Sequence, residues 1–475
     1  MRAHNNGKPD LKKALIAAAV LTVGACDFNI ANPNSPPAIG PNATAATVRS
    51  ATVGVLIALR EDMPNWVQKS SILGREGYRL DTADPRFISE LLQGPLDPTN
   101  NAFGGGQWTR EYRTIQSGYQ ILNVIGTAQI TDPQKEGVRG FVRTIQALAF
   151  LMVLNAHIQD SIPIDVNRSI DQPLAPFVSN DSAYKHVLVL LDSARTSLQA
   201  AGSDFVFDPG PGFTGFTTPT TFLQVNRALA ARVRAYRASL GALPGGTYTS
   251  PAASWSSCTA CWDSVITAVS QSFWDTTKSV DLGVYMSFGT GNQDTPNALS
   301  QNPASAVNLA HPFIRDSAEL QAASTLPDKR YLAKIVPRGG PPLVLSGHSS
   351  DLSWIRYPTP ISPIPIIRNE ELTLLHAEGN WFAPTGSKAQ AVSDLNFVRR
   401  NSGNLAPTTV TPASTDAAFV NALLHERLYS LLYENGHRWI DMRRFGRLGQ
   451  IIVDVAADTV FSSMPINRFE VNARQ

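Results

Sequence analysis

Cysteine and charge are both scarce in this chain of 475 residues. There are three cysteines, and charged residues make up 16% of the sequence, against about 25% in an average soluble protein. The first 25 residues carry four basic residues and one acidic residue, which leaves 36 basic and 37 acidic residues in the remainder. A chain so close to neutrality lacks the basic surface that nucleic-acid binding requires. Its hydrophobic content of 43% is ample for a large core.

The short motifs of common enzymes are also missing. The sequence contains no H-E-x-x-H, no G-x-S-x-G, no G-x-x-x-x-G-K-[ST] and no G-x-G-x-x-G that opens a helix. The eight histidines are scattered without metal-ligand spacing, so no metal site and no cofactor are predicted. The two carboxylates of a glycosidase can lie far apart in sequence. A hydrolase with an unrecognised carboxylate pair therefore stays open as an alternative.

The N-terminus has the pattern of an export signal. A basic start is followed by an apolar run over residues 14–25, which is too short to span a bilayer and ends at Cys26. Val23, Gly24 and Ala25 before this cysteine resemble a bacterial lipobox, in which the cysteine is acylated and becomes the new N-terminus. We predict a signal peptide over residues 1–25, lipidation of Cys26 and a flexible tether over residues 26–44. An ordinary secretory signal with a chance cysteine is the alternative.

The other two cysteines, Cys258 and Cys261, are three positions apart in SCTACWD. This spacing fits either a thioredoxin-like redox pair or a local disulfide of an exported protein. We favour a local disulfide, or two thiols at a helix start, because the residues that follow have the pattern of an amphipathic helix and no strand precedes them. A zinc site would need two further soft ligands nearby, and none is there.

Helical periodicity dominates the chain after the tether. In residues 108–125 the aromatic residues Trp108 and Tyr112 belong to one apolar face, which we assign to the core. Between residues 282 and 365, clusters of Gly, Asn, Pro and Ser predict a loop-rich insertion with a short hairpin. Paired helices suggest a helical-repeat scaffold, with an irregular all-α domain as the alternative. Further helices are predicted at residues 136–157, 182–199, 222–240, 369–380, 387–400, 416–433 and 439–445.

The C-terminal helices carry a balanced set of acidic and basic residues rather than a basic run. Such a set predicts Arg–carboxylate pairs between helices, which fix geometry more than they stabilise. The residues concerned, called the signature residues below, are Glu426, Arg427, Glu434, Arg438, Trp439, Asp441 and Arg444. They resemble the C-terminal signature of the SusD/RagB family, with Ser430 in place of the usual Glu and Asn435 as an extra residue. Residues 326–330, 368–378 and 391–399 are similar to other family segments.

The resemblance implies a mostly α-helical SusD-like fold with tetratricopeptide-like helix pairs. It covers one domain over residues 45–475, divided into an N-terminal helical part (45–245), the loop-rich insertion (246–365) and the C-terminal signature part (366–475). Family members are outer-membrane lipoproteins exposed on the cell surface. They bind oligosaccharides, peptides or other oligomeric nutrients without catalysis and deliver them to a TonB-dependent SusC-like transporter.

Ligand contacts vary among family members, so the residues that bind must be sought in this chain's own loops. Residues 78–104 and 285–297 are the best candidates, because irregular loops on a rigid helical scaffold suit ligand binding. Aromatic rings can stack on sugars, and Asp and Asn can satisfy hydroxyl groups. Within these segments we predict Tyr78, Asp81, Asn100, Tyr285 and Asn292 as ligand-binding residues.

The lipobox interpretation can be tested by acylation of the full-length protein. We expect Cys26→Ser to abolish incorporation of a palmitate analogue and to release the protein from the membrane fraction, because the acyl chains anchor it. Cys261→Ser is the matched control and should keep the label. A label that persists in Cys26→Ser would show that the cysteine is not the acylation site.

Overall fold

Helices form most of the regular structure in the computed structural model, which describes residues 39–169, 171–240, 259–292 and 294–475. Pro41–Gln475 form one unit. The predicted signal peptide, Cys26, the first part of the tether and Cys258 lie outside the described residues. Cys261 is disulfide-bonded, and the Cys258–Cys261 pairing stays a prediction.

The α-helices follow one another along the whole described chain. They are α1 (Ala45–Gly54), α2 (Ile57–Leu73), α3 (Arg86–Ser89), α4 (Thr109–Val124), α5 (Asp132–Ala156), α6 (Asn180–Ala200), α7 (Pro219–Leu240), α8 (Thr259–Ser270), α9 (Pro312–Asp316), α10 (Lys329–Lys334), α11 (Asn369–Phe382), α12 (Lys388–Val398), α13 (Asp416–Ser430), α14 (His437–Arg444) and α15 (Arg468–Ala473). Short 3-10 helices lie at Ile125–Thr127, Pro211–Phe213, Pro303–Ser305 and Leu448–Gln450, and a π-helical turn at Arg399–Gly403.

The strands are short and form three small antiparallel sheets. One sheet has the order β1-β3-β7-β4, a second pairs β2 with β8, and β5 and β6 form a hairpin. In the larger sheet Tyr78 opposes Leu309, and Val336 opposes Ser353. The strands are β1 (Gly77–Arg79), β2 (Gly283–Met286), β3 (Asn308–Ala310), β4 (Ile335–Pro337), β5 (Leu343–Leu345), β6 (His348–Ser350), β7 (Leu352–Trp354) and β8 (Ile364–Arg368).

Side-chain caps define where the long helices begin. Thr131 and Gln134 form a reciprocal capping box at the start of α5, and Ser179 caps α6. Thr218 Oγ1 accepts from the Thr221 amide at 3.2 Å at the start of α7. These caps place the helix starts two to four residues before the apolar periodicity that identified them.

The long helices pack against their neighbours in chain order, from α4 through α8. Helix α11 then packs on α8 and α12. Helix α5 is long and apolar enough to cross a membrane, but 89% of its apolar window is buried inside the protein. The mostly helical fold predicted from the sequence is confirmed. The predicted insertion contains the hairpin β5–β6, and also most strands of the larger sheet, which the sequence did not reveal because each strand has only three residues.

We call the seven signature residues the C-terminal clasp; six of them are buried, and Arg438 is half-buried. Asp441 accepts from Arg427 at 2.6 Å and from Arg444 at 2.8 Å. Arg444 also binds both carboxylate oxygens of Glu378 in α11. This chain of pairs connects α11, α13 and α14 through their side chains. Because each guanidinium is planar and each pair is hydrogen-bonded, the helices can meet in few orientations.

Glu434 is the second centre of the clasp. Its carboxylate forms ion pairs with Arg368 at 3.0 Å, with Arg356 at 3.2 Å and with Lys334 at 3.7 Å. Burial would raise the pKa of the Glu434 carboxyl, but the attraction of Arg368, Arg356 and Lys334 holds this pKa well below its usual value of 4.5. The group is therefore ionised in the folded protein at neutral pH.

Two departures from the family signature have a structural explanation. Ser430, in place of Glu, accepts from Arg330 through its hydroxyl at 3.0 Å and from Lys334 through its carbonyl at 2.7 Å. Asn435, the extra residue, donates to the Pro365 carbonyl at 2.7 Å and accepts from the Trp66 indole at 3.0 Å. Each residue therefore satisfies buried polar groups of neighbouring elements.

The clasp predicts a strong dependence of stability on one carboxylate. We expect Glu434→Gln to lower the free energy of unfolding by about 3–5 kcal/mol, because it leaves the buried Lys334 ammonium without its paired carboxylate. The matched control is Asp316→Asn, which breaks a surface pair whose aspartate side chain is 61% exposed and should cost less than about 1 kcal/mol. Urea unfolding measures both. Equal losses in the two variants would contradict the role of the clasp.

The same carboxylate should contribute to acid unfolding. Its pKa is lower in the folded than in the unfolded chain, so its stabilisation is fully present above the unfolded pKa of about 4.5 and decreases as the pH falls below it. We expect the unfolding free energy of the wild type to fall more steeply than that of Glu434→Gln between about pH 5 and pH 3. Parallel curves would show that another group carries the acid sensitivity.

Candidate functional site

Tyr78, the first predicted ligand residue, lies in the interior of the protein. It is the central residue of β1 and is 3% exposed. Its hydroxyl donates to Asp454 Oδ2 at 2.5 Å. The prediction of a loop position is wrong, because Tyr78 pairs with Leu309 in the sheet and has no exposed ring face to offer a ligand.

The other four predicted residues are at or near the surface. Asp81 pairs with Arg79 at 2.9 Å, and Asn100 accepts from the Ala102 amide at 2.9 Å in a turn. Tyr285 lies half-buried in β2 and donates its hydroxyl to the Asp281 carbonyl. Asn292 is exposed. No hydrogen bond, ion pair or ring contact joins any two of the five among the described residues, so their common role as ligand contacts stays a prediction.

A cavity of about 340 Å³ lies elsewhere, between α4, residues 163–175 and α15. We call it the α4 pocket. Its volume is at the lower end of the range for small-molecule sites, about 300–1,000 Å³. It is lined by Trp108, Tyr112, Gln116, Pro163, Val166, Arg168, Ser169, Gln172, Pro173, Leu174, Ala175, Glu470 and Arg474.

Hydrogen bonds from α4 hold residues 163–175 in place. The Tyr112 hydroxyl donates to the Pro163 carbonyl at 2.8 Å, and one turn later Gln116 donates to the Val166 carbonyl at 2.6 Å. Both donors lie on the same face of α4, because residues four apart are neighbours on a helix. Burial, followed by the negative charge of Glu470, raises the pKa of the Tyr112 hydroxyl well above its usual value. The hydroxyl therefore stays a neutral donor.

Aromatic rings form the inner wall of the α4 pocket. The ring centroids of Trp108 and Tyr112 are 5.0 Å apart, and Phe177 stacks on Trp108 at 6.0 Å. Trp108 is 5% exposed, as expected for a core residue, whereas Tyr112 is half-buried. Assigning both rings to the core alone was therefore incomplete, because both also line the cavity. The helical periodicity identified their shared face but could not show that the face borders a cavity.

Charged and amide groups form the rim. Arg168 pairs with Asp165 at 2.5 Å, and Arg474 donates to the Ala175 carbonyl at 2.8 Å while it pairs with Glu470. The described lining thus combines aromatic and aliphatic walls with guanidinium, amide and hydroxyl groups. Flat rings and several donors suit a polar ligand with apolar faces. Glu470 is the single carboxylate among the lining residues.

Two side-chain groups in the described chain have the spacing of metal ligands. One consists of Glu319, His425 and Glu426, and the other of His348, Asp454 and Asp458. Local spacing in the sequence does not predict the second group, because His348 is 110 positions from Asp458.

No protein-family model matches the sequence, and no curated protein matches it. Solved structures do resemble the fold. A SusD superfamily protein from Bacteroides vulgatus superposes with a TM-score of 0.66 at 12% identity, covering 90% of this chain and 97% of its own. One from Bacteroides fragilis has a TM-score of 0.64 at 17% identity and covers 90% and 98%.

A third similar structure is surface glycan-binding protein A from Bacteroides thetaiotaomicron in complex with laminarihexaose. Its TM-score is 0.65 at 12% identity, with coverage of 90% of this chain and 98% of that one. Each of the three structures aligns with 90% of this chain. At such low sequence identities the comparison shows a shared fold and nothing more. The chain has the SusD-like fold, as the C-terminal signature predicted.

Proposed function

We propose that this protein is a cell-surface lipoprotein that binds an oligosaccharide or another oligomeric nutrient. The observation that carries the proposal is the SusD-like fold together with an aromatic-walled pocket of about 340 Å³. One structure of the same fold was solved with laminarihexaose. Sugar rings have apolar faces and hydroxyl-bearing edges. In the α4 pocket, aromatic rings can stack on the apolar faces and hydrogen-bond donors can bind the hydroxyl groups.

Within the α4 pocket, Tyr112 provides the ring face and Arg168 and Arg474 provide hydrogen-bond donors. Each arginine is partly neutralised by an acidic neighbour, Asp165 or Glu470. This balance favours uncharged sugars over strongly anionic ones, because an anion would be repelled by the carboxylates as much as attracted by the guanidinium groups. The pocket holds one or two sugar rings, and the rest of an oligomer lies outside it.

Delivery to a membrane transporter is the second part of the proposal. The predicted acylation of Cys26 would anchor the protein to the outer membrane, and residues 26–44 would form a tether that lets it reach a TonB-dependent SusC-like partner. The support for this part is the lipobox-like sequence and the SusD-like fold. Co-purification of the tagged protein with a TonB-dependent transporter of the same cell, lost when the tether is deleted, would test the partnership.

The alternative, a lipid-anchored hydrolase, has less support at this pocket. Glycosidases use two carboxyl groups about 5–10 Å apart, whereas Glu470 is the single carboxylate that lines the α4 pocket. Its oxygen Oε1 is already bonded to Arg474. We therefore propose binding without catalysis.

Two variants of one tyrosine test the α4 pocket. Tyr112→Leu removes the ring and should weaken glycan binding by about tenfold or more. Tyr112→Phe loses the hydrogen bond to Pro163 but keeps the ring face and the second bond of the segment, from Gln116 to Val166, and should change the affinity less than about threefold. Titration calorimetry against a panel of oligosaccharides, with laminarihexaose included, measures both. Circular dichroism and thermal unfolding establish that each variant is folded.

Two further variants, Tyr285→Ala and Glu470→Gln, test whether the ligand binds elsewhere and whether the protein is a hydrolase. Tyr285→Ala should bind like the wild type if the ligand lies in the α4 pocket. Loss of binding in Tyr285→Ala but not in Tyr112→Leu would place the ligand at residues 285–297 and overturn the pocket assignment. Product formation that Glu470→Gln abolishes would contradict binding without catalysis.

A further inference from the structure

Five polar side chains meet where β1, β3 and β6 approach the segment after α14. His348 Nε2 lies 3.0 Å from both carboxylate oxygens of Asp458. Tyr78 and His311 both contact Asp454 Oδ2, at 2.5 and 3.1 Å. The Asp454 amide donates to Asp458 Oδ2 at 3.3 Å, which holds the two acidic residues together.

We propose that His348, Asp454 and Asp458 bind one divalent transition-metal ion, with Zn²⁺ as the best-matched ion. The three ligand atoms lie within 4.8 Å of one another. Zinc takes an imidazole nitrogen at about 2.0–2.1 Å and carboxylate oxygens at about 2.0–2.2 Å, so a small inward movement of the side chains is sufficient. One nitrogen and two oxygens leave room for water and suit zinc better than calcium, which takes six to eight oxygen ligands.

The burial of the ligands supports a built site rather than a surface cluster. The side chains of His348 and Asp458 are both 0% exposed, and that of Asp454 is 25% exposed. Two ligands are thereby fixed by packing, while the third is open to solvent and gives an ion a path of entry.

The local charge also favours a cation. Arg75 interacts electrostatically with Asp454 and Asp458, but its guanidinium donates to the Ile72 and Thr459 carbonyls. Within the described part of the chain, the ion-pair partners of the two carboxylates are histidines rather than arginine or lysine. A divalent ion would compensate the excess negative charge where burial makes it costly.

Tyr78 and His311 act as positioning residues around the site. The His311 Nδ1 atom accepts from the Phe313 amide at 3.0 Å, so its Nε2 carries the proton and donates to Asp454. Both donors bind Oδ2, which orients the Asp454 carboxylate. Hydrogen bonds of this kind to ligating carboxylates commonly support metal sites.

The second candidate group does not share these properties. Glu426 is held by Arg330 at 2.7 Å and by Arg399 at 2.5 Å, and Glu319 also pairs with Arg399. Cationic side chains already occupy the positions that a metal ion would take. This group therefore provides a matched control within the same chain.

The test measures zinc bound to the purified full-length protein after treatment with a chelator and dialysis against micromolar Zn²⁺. We expect one ion per chain and a higher midpoint of thermal unfolding when zinc is present. Asp454→Asn and Asp458→Asn should each weaken zinc binding at least tenfold, and Tyr78→Phe should weaken it by about 10–100-fold. Glu319→Gln should bind zinc like the wild type.

Folding and metal binding are separated by measurements on the metal-free protein. Asp454→Asn changes a solvent-accessible carboxylate and should keep the circular dichroism of the wild type. Bound Co²⁺ should give visible absorption bands in the wild type that are missing in this variant. Wild-type protein that takes up no zinc, or zinc binding that survives in both aspartate variants, would overturn the proposal. Equal loss in Glu319→Gln would place the ion elsewhere and overturn it as well.

Discussion

Buried carboxylates paired with arginines are the interaction on which this fold depends. Asp441 joins α13 to α14 through Arg427, and Arg444 extends the connection to Glu378 in α11. Glu434 forms ion pairs with Arg368 at the end of β8, with Lys334 in α10 and with Arg356 after β7. Because burying either partner alone is very unfavourable, these elements must come together as a set. The pairs therefore specify the arrangement of helices more than they add to net stability.

This constraint leaves the outer segments free to vary. Residues 163–175 are held to α4 through their backbone carbonyls, which accept from Tyr112 and Gln116. A backbone acceptor is present whatever the side chain at that position. The hydrogen bonds that position this segment therefore do not depend on which side chains Pro163 and Val166 carry.

The sequence carried much information on the helices and little on the sites. Apolar periodicity located α5, α6 and α7, because each long helix buries one continuous face, and the balanced set of acidic and basic residues on the C-terminal helices predicted ion pairs between them. Three-residue strands such as β1 have too few residues for any alternation to be read. Tyr78 was consequently placed on a loop. The α4 pocket brings Tyr112 together with Arg474, and no local pattern predicts contacts over such a separation.

The C-terminal segment after the clasp connects the interior to both candidate sites. It first supplies Asp454 and Asp458 beside β6, and its last helix supplies Glu470 and Arg474 to the α4 pocket. Between them, the Met464 amide donates to the Ala156 carbonyl at the end of α5, and Asn467 donates to the Gly105 carbonyl, each at 2.8 Å. These bonds fix where α15 begins. The rim of the pocket is therefore positioned by the same segment that closes the fold, and an ion bound at Asp454 and Asp458 would restrain that segment upstream of the pocket.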